Sequence, residues 1–131
     1  MLALVAVLIG GAIGTGLRLG LDDLFVVPNG TFPASTLVIN VVGSLALGFL
    51  VARVWPTAPA WTRAGLGPGV LGGFTTFSAV MVSMVTLAAS GRVFLALVYI
   101  VVTLVLGLAA AVLGIFVGRR RGTITEIEGD E

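Results

Sequence analysis

Residues 72–78 read Gly-Gly-Phe-Thr-Thr-Phe-Ser, within a segment otherwise apolar and long enough to cross a membrane. A continuous helix satisfies its own backbone groups in lipid, so two glycines and three hydroxyl side chains at mid-depth predict an interruption. An interruption persists only where protein or a water-filled cavity receives the freed backbone groups. Freed carbonyls suit a hard cation such as sodium, whereas the ring edges of Phe74 and Phe77 suit an anion. The stretch therefore predicts either an ion site or a glycine kink relieved by neighbouring hydroxyls.

The composition indicates an integral membrane protein, because 58% of the 131 residues are apolar, only 10% are charged and the mean hydropathy is +1.19. A spanning helix needs about 20 mostly apolar residues. Four stretches meet this length: residues 2–21, 34–54, 64–89 and 93–117. We predict an all-α membrane protein with a four-helix transmembrane domain over residues 1–121, broken in its third helix, and a short polar tail over residues 122–131. The first stretch lacks a basic leader and is expected to be a retained helix.

The titratable residues argue against catalysis. The chain has no histidine, cysteine or lysine, and its six carboxylates are assigned to a loop or the tail: Asp22, Asp23, Glu126, Glu128, Asp130 and Glu131. The spanning segments therefore hold no acid or base of the usual catalytic kinds, and an enzyme is not expected. Proton-coupled exporters of four-helix size need an acidic group inside the bilayer. Its absence argues against the alternative of a small multidrug exporter.

The arginines predict the orientation. Five of them fall on the side of both termini and of the second loop, and two on the other side: Arg53, Arg63, Arg119, Arg120 and Arg121 against Arg18 and Arg92. Cytoplasmic loops carry an excess of basic residues. We therefore expect a multi-pass protein of the cell membrane with both termini in the cytoplasm.

Polar side chains recur every four residues along two of the predicted helices. The second helix carries Thr36, Asn40, Ser44 and Gly48, and the fourth carries Tyr99, Thr103 and Gly107. An unpartnered amide costs about 4–8 kcal/mol in hydrocarbon, so Asn40 needs either another helix or a ligand. The fourth-helix residues either form a polar track for an ion or donate their hydroxyl hydrogen bonds to the backbone of their own helix.

The first helix carries glycines and one arginine. Two pairs of glycines four residues apart, Gly10 with Gly14 and Gly16 with Gly20, are typical of close helix packing. Arg18, at the end of this helix, is either an interfacial anchor or a group that concentrates anions in a vestibule.

Three segments together resemble the CrcB/Fluc family of fluoride channels. They are residues 72–78, the Asn-Val-Val-Gly-Ser of residues 40–44, and the Gly-Gly-Ala-Ile-Gly of residues 10–14 that leads to Arg18. The resemblance implies a dual-topology dimer of two antiparallel four-helix subunits, with fluoride pathways at their interface and a structural sodium ion at the centre. It implies a fluoride pathway along Asn40, Phe77, Ser78, Tyr99 and Thr103, a vestibule at Arg18, and backbone carbonyls of Gly72 and Thr75 on the sodium.

The sequence departs from the family pattern just after the predicted break. The family motif usually continues Phe-Ser-Thr-Phe, whereas Val80 stands here in place of the second phenylalanine, and Ser83 lies where a glutamate is common. A homodimer inserted both ways needs nearly balanced charge, which the arginines do not provide. We therefore expect a second family subunit in antiparallel orientation, as a heterodimer rather than a homodimer. A non-conducting scaffold subunit is the alternative.

Overall fold

The computed structural model describes residues 1–25, 28 and 31–128, with side chains as far as Arg119. All regular secondary structure in these residues is helical, and four crossings are long and apolar enough to span a membrane: Leu2–Leu24, Ala34–Arg53, Ala60–Ala89 and Val93–Arg119. The elements are α1 (Leu2–Leu24), α2 (Ala34–Arg53), α3 (Ala60–Ala64), a π segment (Gly65–Leu71), α4 (Gly72–Phe74), α5 (Phe77–Ala89) and α6 (Val93–Glu128). The prediction of an all-α membrane protein is confirmed.

The third crossing is interrupted twice. Pro68 lies inside the π segment, where its missing N–H removes one bond of the regular ladder and favours a wider turn. Thr75 and Thr76 then adopt extended backbone between α4 and α5, with ψ angles of 152° and 121°. The predicted break therefore lies at the two threonines.

The break allows the third crossing to change its packing partner. Before it, α3, the π segment and α4 pack against α1, whereas α5 packs against α6. The densest packing in the fold joins α2 to α6. Two extended residues are therefore the point at which two helix pairs meet.

Two of the four glycines predicted to pack closely do so within the chain. Gly10 and Gly14 are buried against backbone of the π segment, where an added Cβ would overlap the carbonyl oxygens of Gly65 and Val70. Gly16 and Gly20 face open space. The prediction of close packing is therefore confirmed within this chain for the first pair only; Gly16 lies about 200° around the helix from Gly14 and does not face the π segment.

Several predicted helix ends differ from the structure. The first helix continues past residue 21 to Leu24, so Asp22 and Asp23 lie in its last turn and not in a loop. The fourth continues past residue 117 to Glu128, and no proline interrupts it. The part of the predicted tail up to that residue is therefore helical, and residues 129–131 lie outside the described residues. The third begins at Ala60, directly after Pro59.

Little of the chain is buried within one copy. A buried hydrophobic cluster consists of Val80, Leu87, Ala96 and Tyr99, at the contact of α5 with α6. Large apolar side chains along every crossing are exposed. In a membrane protein such surface faces lipid or another subunit.

Candidate functional site

Asn40 on α2 pairs with the backbone of the break. Its Oδ1 accepts from the N–H of Thr76 at 2.9 Å, and its Nδ2 donates to the carbonyl oxygen of Thr76 at 3.0 Å. The amide thus satisfies both backbone groups that the extended conformation removes from the helical ladder. The pairing also fixes which way the amide points, since an N–H requires an acceptor opposite it.

This pairing uses only one of the two N–H donors of the Asn40 amide. A carboxamide offers two N–H groups, and the Thr76 carbonyl takes one of them. In the described part of the chain the second has no acceptor. Asn40 therefore makes the interhelical hydrogen bond that was one of the two alternatives, and the binding of a ligand by its second donor stays a prediction.

The carbonyls at the end of α4 lose their helical donors. The Thr76 N–H, which would donate to Gly72 in a continuous helix, is taken by Asn40. The Ala79 N–H, which would reach Thr75, instead donates to the hydroxyl of Thr76 at 3.2 Å. The Thr75 N–H and hydroxyl both donate to the Leu71 carbonyl at 2.8 Å. The carbonyls of Gly72 and Thr75 thus suit a hard cation.

The other side of the break is the amino end of α5. Thr76 caps this helix, and its hydroxyl also lies 2.9 Å from that of Ser78. First-turn N–H groups have no intrahelical acceptor and carry the positive end of the helix dipole. Phe77 begins the helix with 67% of its side chain exposed. Donors and an exposed ring therefore lie together, an arrangement that favours an anion.

A cavity of about 440 Å³ opens beside the break. Its walls come from α2, the π segment, α4, the break, α5 and α6, and they include Asn40, Ser44, Thr75, Phe77 and Thr103. None of the described residues in its wall is charged. The fold thus gathers most of the predicted site residues around one uncharged space.

Tyr99 lies behind this cavity in a cluster of hydroxyls. Its side chain is completely buried, and the ring of Phe32 meets it edge-on at a centroid distance of 5.4 Å. The hydroxyls of Thr36, Ser83 and Thr103 face its phenol oxygen. In the described residues, however, neither the Tyr99 nor the Thr103 hydroxyl forms a hydrogen bond of good geometry. The predicted fourth-helix track therefore consists of buried hydroxyls that still lack partners.

Arg18 is not part of this arrangement. It is half-buried on α1, and its Nε forms no hydrogen bond with any described residue. It does not line the cavity that contains Asn40. Its vestibule role stays a prediction.

Sequence reasoning missed two features of the site. It did not predict the pairing of Asn40 with Thr76, although a break needs both a donor and an acceptor and a primary amide provides both. It also did not predict that Trp55, Gly67 and Pro68 line the far end of the cavity. The interior proline was the available signal for the irregular helix there.

Comparison with known proteins gives a consistent result. Residues 5–115 match the family model described as CrcB-like protein, Camphor Resistance (CrcB). A fluoride-specific ion channel FluC 2 of Bacillus subtilis is 40% identical over 129 residues, which cover 95% of this chain and 93% of that protein. A fluoride-specific ion channel FluC of Paracoccus denitrificans is 40% identical over 86% of this chain and 91% of its own length. That of Parabacteroides distasonis is 37% identical over 91% and 94%. These relatives are named as ion channels and not as enzymes. The chain therefore belongs to the CrcB family of fluoride-specific ion channels.

Proposed function

We propose that this chain is a subunit of a fluoride-selective channel that lowers cytoplasmic fluoride by passive export. The observation that carries the proposal is the second N–H of Asn40, which has no acceptor among the described residues and belongs to a side chain that lines an uncharged cavity beside the broken helix. The names of the relatives support fluoride as the ion. An inside-negative potential of 100 mV drives a monovalent anion outward with about 2.3 kcal/mol.

The pathway follows from the donors around the cavity. Fluoride is strongly hydrated, so a pore must replace water with other donors at close range. Asn40 and Ser78 would supply N–H and O–H groups, the exposed edge of Phe77 would face the ion, and the hydroxyls of Thr103 and Tyr99 would continue the track. Neutral donors hold the ion without the fixed charge that would trap it.

A sodium ion would fit the other side of the break. The carbonyl oxygens of Gly72 and Thr75 have lost their helical donors and are hard ligands. Two carbonyls from one chain are only part of a coordination shell. An antiparallel second subunit would supply the rest, and the bound ion would add a positive charge that joins the two subunits.

The partner would be a second family member in the opposite orientation, and this chain would have both termini in the cytoplasm. The arginine bias supports this heterodimer over a homodimer.

Val80 favours the second candidate function, a scaffold subunit that does not conduct. Its side chain is 2% exposed and packs in the α5–α6 core.

Fluoride efflux from liposomes tests both candidates. The chain is reconstituted alone and with a family member of opposite charge bias, in its natural form and as Asn40→Asp. The aspartate keeps an acceptor for the Thr76 N–H but removes both donors and adds a negative charge. We expect efflux from the pair only, and a loss of at least about tenfold in the variant. Unchanged efflux in the variant would favour the scaffold. Absence of fluoride efflux from both preparations would refute the channel, and robust efflux from the lone chain would refute the heterodimer.

A further inference from the structure

Trp55 carries a polar group that the fold leaves unpartnered. Its indole nitrogen Nε1 is buried and forms no hydrogen bond with any described residue. An unpaired donor in an apolar interior costs about 1–3 kcal/mol. An indole nitrogen can only donate, so its missing partner must be an acceptor.

Local backbone holds the indole against the third crossing. The N–H groups of Val54 and Trp55 both donate to the Leu50 carbonyl at 2.9 Å, so α2 ends in a widened turn. Pro56 then prevents further helix. A Cβ built on Gly67 would lie 3.1 Å from the indole Cζ2. Because Cζ2 and Nε1 share one edge of the indole, the donor lies on the side of the π segment.

Trp55 lines the cavity that begins at the break. Trp55, Gly67 and Pro68 line the same space as Asn40 and Ser44. Ser44 lies nine positions before Arg53, where α2 ends, which is about 14 Å of helix. Two side chains of the cavity wall, Asn40 and Trp55, thus each have a donor without an acceptor among the described residues.

The surroundings of this end favour an anion. Arg53 and Arg63 are exposed on the segments that flank Trp55, and cationic side chains at an opening raise the local anion concentration. Within the described wall, no carboxylate competes for the donor. A neutral N–H can therefore receive an anion from an arginine-rich mouth and release it again.

We propose that the indole N–H of Trp55 binds the permeating anion at the mouth of the cavity, as an access site between the two arginines and Asn40. This inference rests on the proposed channel function and adds a second binding position to it. Fluoride is the anion of interest, because it is the strongest hydrogen-bond acceptor among the halides.

Efflux kinetics provide the first test. Trp55→Phe keeps an aromatic ring over Gly67 but removes the donor. Trp61→Phe is the matched control, because Trp61 is 46% exposed and lies outside this cavity. We expect Trp55→Phe to raise the fluoride concentration for half-maximal efflux about tenfold, the effect of one lost hydrogen bond to a charge. The control should leave it unchanged. An unchanged value in Trp55→Phe would overturn the inference.

Fluorescence provides a test that does not need conduction. The chain has two tryptophans, so Trp61→Phe leaves Trp55 as its sole tryptophan. The Trp55→Phe/Trp61→Phe double variant supplies the background, including any tryptophan of a partner. Sodium fluoride is titrated against sodium gluconate at constant ionic strength. A saturable fluoride-dependent change in the difference signal would support the site. No change, as expected if a carbonyl or water occupies the donor, would overturn it even if the channel conducts. If the unaltered protein does not conduct, the channel function fails and this titration alone decides on the site.

Discussion

Replacing Gly14 with alanine tests how closely α1 must approach the broken crossing. A Cβ at this position would overlap the carbonyl oxygen of Val70 and lie 2.8 Å from its carbonyl carbon and 3.0 Å from the Phe74 nitrogen. All three atoms are backbone, so none can rotate away, and such overpacking costs about 1–3 kcal/mol. At Gly16, on the same helix, an added Cβ meets nothing within 4 Å. Alanine gains about 0.5–1 kcal/mol of helix propensity at either position, so this gain cancels in the comparison. We therefore expect Gly14→Ala to be less stable than Gly16→Ala by about 1–3 kcal/mol.

The measurement is unfolding of both variants in detergent micelles on titration with dodecyl sulfate, followed by circular dichroism. Fluoride efflux from liposomes is measured in parallel. Because Val70 and Phe74 lie just before the break, Gly14→Ala should also lower efflux, whereas Gly16→Ala should not. Equal stability of the two variants, or a less stable Gly16→Ala, would refute the packing argument. Normal efflux from a destabilised Gly14→Ala would show that the close packing of α1 stabilises the fold but is not needed for conduction.

Three further substitutions probe the cavity by the same efflux assay. Gly107→Ser should raise efflux by up to about tenfold, because the new hydroxyl extends the polar track. An added Cβ at this position meets only the Ser44 hydroxyl, at 3.7 Å, so there is room for it. A decrease in efflux would argue against that track. Val80→Phe should increase efflux if the missing ring limits conduction, and a loss of folded protein in size-exclusion chromatography would show instead that the α5–α6 core has no room for it. Gly43→Ala should lower efflux and weaken its dependence on sodium, because its Cβ would collide with the Thr75 methyl group; unchanged efflux would show that the break tolerates a shift of α2.

The sequence alone predicted the break, because two glycines and three hydroxyl side chains at mid-depth of a spanning segment favour an interrupted helix. It did not predict what the break binds to within the chain. Asn40 precedes Thr76 by 36 residues, and no local pattern relates two such distant positions. The four-residue spacing of polar side chains predicted which face of α2 is polar. It did not predict which residues that face contacts. Pairing between crossings depends on tertiary packing.

Helix ends were predicted less well than helix centres. Apolar content locates the part of a helix that lies in lipid, whereas the helix itself ends where its hydrogen bonds end. Asp22 and Asp23 therefore marked the end of the apolar stretch and not the end of α1. The same distinction explains why α6 continues past the apolar stretch that predicted it.

The chain itself provides hydrogen-bond partners for only one side of the break. Asn40 pairs with both backbone groups of Thr76, so this residue of the break has its backbone hydrogen bonds satisfied within the chain. The carbonyls of Gly72 and Thr75 and the exposed ring of Phe77 receive no comparable partner from the described residues. In lipid the two carbonyls cannot stay uncovered without cost, whereas the apolar ring can. Whatever covers the carbonyls must bring a hydrogen-bond donor or a cation to them, and the proposed second subunit, crossing at the same depth, would help to do so.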